Sequence, residues 1–181
     1  MNFFTLPNAI SAVRILMVPV FLWLWLGEDR VAEAGWLLGV IGATDWIDGY
    51  LARRLDQVST VGEFLDPLAD RLAVVSALIG GIITDDIPRW FAVAVVVREA
   101  FIAVGALTLG LKARAKLTVR FIGKAATAAI YASLAWFLIG RGSDTGWIEA
   151  AAWTMGLFGL VLYYISAFQY YGDLRQQLAS R

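Results

Sequence analysis

The sequence predicts an all-α integral membrane protein, six transmembrane helices with an N-terminal interfacial helix, forming a single domain over residues 1–181. Three observations predict it. Of the 181 residues 60% are apolar and eight are Trp, above the roughly one-half apolar share of an ordinary globular domain. Six apolar runs approach the length of about 20 residues that crosses a bilayer. The polar breaks between them are too short to hold a second domain.

The elements follow in order. "TLPNAISAVR", residues 5–14, opens as an interfacial helix lying along the membrane surface, and the first span covers residues 9–27. Arg14, the apolar run after it and "AEA" at 32–34 also have the outline of a cleaved secretory signal, but five further spans favour an uncleaved helix. Those spans are residues 33–51, 65–84, 88–111, 119–140 and 147–171, separated by breaks at 27–30, 53–62, 84–88, 112–116 and 141–146. Alternating the breaks between two sides puts Arg53, Arg54, Lys112, Arg114, Lys116, Arg120, Arg175 and Arg181 on one side and Arg30, Arg89 and Arg141 on the other. The positive-inside bias then predicts a multi-pass protein of the cell membrane with both termini and the 53–62 break cytoplasmic.

Composition also narrows the chemistry. With no Cys and no His, disulfides, thiolate nucleophiles, zinc sites built on sulfur or imidazole, and His acid–base catalysis are excluded. Fifteen charges of each sign give a net charge of zero, so nothing points to nucleic acid as a partner. What remains is carboxylates, Lys, Arg, hydroxyls and metals.

The carboxylates are concentrated in "ATDWIDGYLARRLDQVSTVGEFLDPLAD", residues 43–70. Asp45 and Asp48 stand three apart with Gly49, Ala52 and Arg53 following on one helical face; Gly62, Asp66 and Asp70 recur at intervals of four on the next helix. Two antiparallel helices joined by a short turn bring these faces together, so four carboxylates converge. A charge at membrane depth costs about 2.5 kcal/mol or more, and four like charges cannot stand unpaired. Two divalent cations would neutralise them, and an all-oxygen donor set favours Mg²⁺ or Mn²⁺, which share their coordination with substrate phosphates. The chemistry expected of such a site is phosphoryl or phosphodiester transfer. Two other readings compete: small residues at these spacings also serve helix packing, and intramembrane acids also mark ion pathways, as in a cation transporter.

The whole arrangement, D-x2-D-G-x2-A-R-x8-G-x3-D-x3-D from Asp45 to Asp70, resembles the signature of the CDP-alcohol phosphotransferase family. "LPNAISAVR" near the start, the six spans, and Gly123 with Lys124 extend the resemblance over most of the chain. It implies a homodimeric membrane enzyme that moves the phosphatidyl group of CDP-diacylglycerol to an alcohol and releases CMP. By position, Asp45, Asp48 and Asp66 resemble the family's metal ligands, and Asp70 its general base and further ligand. Gly49, Ala52, Arg53 and Gly62 resemble its cytidine diphosphate pocket, with Arg53 on the phosphates.

Arg98, Arg120 and Lys124 are the candidates for binding the acceptor, while Lys112, Arg114 and Lys116 read equally well as a solvated loop against anionic headgroups. Family members that use glycerol 3-phosphate tend to carry Lys and Gln three and seven positions after the Gly123 equivalent, and an extra Arg after the Arg–Glu pair. Here Ala126 and Ile130 occupy those two positions, and no Arg follows Arg98 in its helix. "RFIGKAATA" and "ISAFQYYGDLR" are more similar to the cardiolipin synthases of the family, whose acceptor is phosphatidylglycerol. Cardiolipin synthesis is therefore the expected activity, with phosphatidylglycerophosphate synthesis as the alternative.

Overall fold

The computed structural model describes residues 6–55, 62–113 and 121–179, and every described element is helical. Helix α1, Leu6–Leu22, widens into a π-turn over Trp23–Gly27; α2 is Val31–Leu55, α3 Gly62–Thr84, α4 Arg89–Ala113, α5 Phe121–Ser143 and α6 Gly146–Ala179. The runs Ala9–Gly27, Ile122–Ser143 and Gly146–Gln169 are long and apolar enough to cross a membrane; Val31–Thr44 and Arg71–Thr84 are shorter apolar stretches among the described residues. Large apolar side chains such as Leu16, Trp36, Ile83, Trp147 and Phe168 lie exposed on the outside of the bundle, as a lipid-facing surface requires.

The breaks expected at 27–30 and 84–88 are found, the one expected at 141–146 narrows to 144–145 because α5 runs on to Ser143, and those expected at 53–62 and 112–116 fall largely outside the described residues. A further difference stands at the start. Instead of a separate interfacial segment over 5–14, α1 is continuous from Leu6, and Ser11 and Arg14 are buried within the bundle. The reason is register: Ser11, Arg14, Val18, Phe21 and Trp25 recur at alternating steps of three and four, so the polar pair occupies the same inward stripe as the apolar residues above it.

Three turns gather at one end of the bundle. After Gly27, Thr84 and Ser143 the chain reverses through Asp29, Asp85 and Asp144, with φ of 55°, 60° and 50°. Asp tolerates this left-handed region better than most residues, because its short side chain bonds locally. Asp86 then ties the turns together, accepting a 2.8 Å hydrogen bond from Trp25 Nε1 and lying 3.6 Å from Arg141 Nε. Trp25 is buried over Gly80, where a Cβ would stand 2.4 Å from the ring.

α2 packs closely against α5, and α5 forms its most extensive contact with α6. At Gly35 a Cβ would fall 2.8 Å from both Ala135 O and Ile139 N, so α2 approaches the backbone of α5 as only glycine allows. α1 packs on α2 and α3, whereas α4 lies against α6 and α3. The far end of the α4–α6 contact is aromatic: Trp153 meets Phe137 edge-on at 5.1 Å and stacks on Trp90 at 5.5 Å. The bundle therefore has a tight, well-tied end at the three turns, from which α2 descends toward the acidic motif.

Candidate active site

The motif acids continue stripes that are buried farther along the same helices. In α2, Ala34, Leu38 and Ile41 are fully buried, and the next steps of four and three reach Asp45 and Asp48. In α3, Ala77 and Ala73 are buried, and the next steps back of three and four reach Asp70 and Asp66. Gly49, Ala52 and Arg53 follow in the last turns of α2, and Gly62 opens α3. The side chains of residues 45–55 and 62–70, which include all of these positions, and the whole of Arg120 lie outside the described residues. Helical periodicity gives each acid pair the register of the buried residues farther along its own helix. Pro67 is the sixth residue of α3, past the first turn, so it removes one hydrogen bond near the start of that helix.

The described polar site lies between α4, α5 and α6. Arg98, only 7% exposed, donates from Nη1 to Glu99 Oε1 at 2.9 Å, and its Cζ stands 3.6 Å over the centre of the Tyr163 ring. The Tyr163 hydroxyl donates to the same Glu99 oxygen. One guanidinium is thus held by a carboxylate in its own helix and by an aromatic face from α6. Arg98 Nε has no hydrogen-bond partner among the described residues, nor has Ser166 Oγ, one turn beyond Tyr163 and buried. A Cβ on Gly123 would stand 3.1 Å from that Ser166 oxygen, so α5 passes directly beside it. Lys124, the next residue of α5, is exposed.

Of the three acceptor candidates, Arg98 is therefore buried and charge-paired, Lys124 is exposed at the start of α5, and Arg120 precedes the described part of that helix. Sequence reasoning missed the partners: Tyr163 is one of several tyrosines in an apolar helix, and nothing in its neighbourhood marks it as the clamp of Arg98. Glu99 carried a signal, since an acid beside a base in the middle of an apolar helix needs a partner. Arg14 carries a similar signal as a base within the first apolar run.

Chemically, the two halves differ. The motif of α2 and α3 carries four aspartates with no His or Cys, a donor set suited to hard cations and phosphate chemistry. The α4–α6 cluster offers one compensated guanidinium, buried hydroxyls and an exposed ammonium, suited to a singly charged ligand.

Comparison with known proteins identifies the family. Residues 4–165 match the family described as CDP-alcohol phosphatidyltransferase. The chain is 35% identical to cardiolipin synthase (CMP-forming) of Streptomyces coelicolor over 181 residues, 95% of this chain and 83% of that protein. It is 32% identical to CDP-diacylglycerol–glycerol-3-phosphate 3-phosphatidyltransferase of Escherichia coli K12 over 182 residues, 97% of each chain. The Bacillus subtilis protein of that same name is 39% identical over 110 residues, 53% of this chain and 57% of its own.

Proposed function

The chain belongs to the CDP-alcohol phosphatidyltransferase family, and from that premise we propose that this membrane phosphatidyltransferase of phospholipid biosynthesis is a cardiolipin synthase, joining the phosphatidyl group of CDP-diacylglycerol to phosphatidylglycerol. The observation that carries the choice of acceptor is the neutralisation of Arg98 by Glu99. Glycerol 3-phosphate is a small dianion and needs dense, uncompensated positive charge, whereas a phosphodiester lipid carries one charge and is held largely by its acyl chains. Similarity to the Streptomyces coelicolor cardiolipin synthase supports the same reading. The full-length match to the Escherichia coli glycerol-3-phosphate enzyme favours the alternative, phosphatidylglycerophosphate synthesis.

In this reading all six helices cross the membrane, the chain is one domain over residues 1–181, the acidic end and both termini are cytoplasmic, and two copies form a homodimer. Asp45, Asp48, Asp66 and Asp70 would hold two divalent cations, Mg²⁺ or Mn²⁺, for which their all-oxygen donor set is suited; bound there, the cations would neutralise the pyrophosphate and the leaving oxygen. Gly49, Ala52 and Gly62 leave room for the cytidine diphosphate, and Arg53 pairs with its phosphates. Asp70 takes the proton of the acceptor hydroxyl as that oxygen bonds to the phosphatidyl phosphorus. The phosphorus–oxygen bond of the pyrophosphate breaks, and CMP departs with the bridging oxygen. Arg98, Arg120 and Lys124 orient the acceptor.

The deciding assay supplies purified protein with CDP-diacylglycerol, Mg²⁺ or Mn²⁺, and each acceptor in turn, and follows CMP and lipid product. Phosphatidylglycerol should yield cardiolipin. Efficient use of glycerol 3-phosphate with phosphatidylglycerol ignored would establish the alternative. Cation movement into vesicles with no CMP from any alcohol would replace both by a transporter.

A further inference from the structure

We propose that Thr127 and Glu99 form a hydroxyl-recognition site for the acceptor, accepting hydrogen bonds from the secondary hydroxyl of a glycerol group while the terminal hydroxyl is left to react. The proposal rests on the transferase reading above. It does not depend on which acceptor is used, because phosphatidylglycerol and glycerol 3-phosphate both present that secondary hydroxyl.

In α5, Ile130, Leu134 and Leu138 follow Thr127 at steps of three, four and four, and none is more than 1% exposed, so Thr127 has the inward register of its helix. Thr127 is nevertheless exposed, and so is Lys124 one turn before it. An exposed residue on an inward stripe looks into an opening of the bundle. Thr127 stands there beside the Tyr163 hydroxyl, which donates to Glu99 Oε1. Glu99 is also partly open, with 28% of its side chain exposed. Since α4 and α5 each pack on α6, Glu99 and Thr127 flank Tyr163 from two different helices.

The hydrogen-bonding capacity left over at this place is one-sided. Thr127 Oγ1 donates to Gly123 O at 2.9 Å, so toward the opening it offers lone pairs only. Glu99 Oε1 receives both Arg98 Nη1 and the Tyr163 hydroxyl, whereas Glu99 Oε2 receives no hydrogen bond among the described residues. Two acceptor oxygens call for a donor. Arg98 already answers the charge of Glu99, so no net negative charge is left to select a cation, and a hydroxyl is the neutral donor that fits. A phosphate is repelled by two such oxygens and is left to the cationic side, where Lys124 is exposed and Arg98 Nε has no hydrogen-bond partner among the described residues. A glycerol ester suits both sides at once, because its phosphate and its secondary hydroxyl sit on adjacent carbons. A threonine that bonds the carbonyl one turn back is common in membrane helices. Thr127 differs in facing an opening beside a half-open carboxylate.

The test pairs a protein change with a ligand change. Two acceptors are compared, phosphatidylglycerol and the analogue whose headgroup lacks the secondary hydroxyl and keeps the terminal one; glycerol 3-phosphate and its corresponding analogue replace them if the soluble acceptor is the one used. Wild-type enzyme should show an apparent KM about tenfold higher for the analogue. Thr127→Val keeps the shape and removes the hydroxyl; it should raise the KM for the glycerol acceptor by about three- to tenfold and leave that for the analogue unchanged. Its Tm should stay near the wild-type value, and Thr127→Ser should keep the wild-type preference. Wild-type indifference to the missing hydroxyl, or a Thr127→Val effect that is equal on both acceptors or absent on both, would overturn the proposal and leave Thr127 serving only its own helix. Binding supplies a readout without turnover: a short-chain phosphatidylglycerol should raise Tm more than its analogue does in wild type, and equally in Thr127→Val. A protein that shows this pattern but releases CMP with no alcohol keeps the hydroxyl site and loses the transferase reading, whereas equal shifts in wild type overturn the site whatever the turnover.

Discussion

At the scale of residues, the clearest geometry belongs to Arg98, Glu99 and Tyr163. The Tyr163 hydroxyl and the Arg98 guanidinium meet on one Glu99 oxygen, so removing the hydroxyl leaves the carboxylate with one donor fewer in a setting short of water. Tyr163→Phe keeps the ring under Arg98 and should destabilise the protein by about 1.5–3 kcal/mol, the range for a hydrogen bond to a charged group, measured as a fall in the melting temperature in detergent. If Arg98 orients the acceptor as proposed, the change should also raise the apparent KM for phosphatidylglycerol more than that for CDP-diacylglycerol. Asp70 calls for a different experiment. If it removes the acceptor proton, Asp70→Asn should reduce turnover by about a hundredfold or more while CDP-diacylglycerol still binds. Loss of donor binding with no separate effect on rate would make Asp70 a ligand alone. Arg98 itself was legible in the sequence as a base at membrane depth, and so was its neighbouring acid. The ring that covers it was not, because Tyr163 lies 65 positions downstream and the pairing exists only once α4 rests on α6.

Helices add constraints that single residues do not. α2 approaches α5 through Gly35, where a Cβ would lie 2.8 Å from Ala135 O and Ile139 N. Both obstacles are backbone, which cannot rotate aside, so Gly35→Leu should force the helices apart and cost about 1–3 kcal/mol, read as a lower Tm and reduced yield. Activity should fall with it, since α2 also carries Asp45 and Asp48 of the proposed cation site. At the far end of the bundle, Asp86 joins three elements through Trp25 and Arg141. Trp25→Phe removes the 2.8 Å bond and should also weaken the packing over Gly80, lowering Tm while leaving the KM for either substrate nearly unchanged. A large change in KM would show that this end communicates with the site.

For the whole molecule, the decisive expectation is cation dependence. If the four motif aspartates form the proposed two-cation site, Mg²⁺ or Mn²⁺ should bind in the folded state only, so the cation should raise Tm and chelation should abolish turnover. Full activity in excess chelator would remove the two-cation site. The sequence by itself determined the apolar membrane character, the helix order, the breaks at 27–30 and 84–88 and the spacing of the acidic motif, because bilayer thickness and the 3.6-residue turn impose periods that a one-dimensional string records. It also carried the family signature, since the motif is local. Tertiary structure decided what no period records. It continued α1 inward from Leu6, so that Ser11 and Arg14 lie in the core, brought Trp25, Asp86 and Arg141 to one end, and set Arg98 beneath Tyr163 with its charge already answered by Glu99. The physical reason is that periodicity tells which residues share a face of one helix, whereas the partner of that face depends on how helices far apart in the chain pack, and within lipid that choice is made by close backbone approach and by buried polar pairing.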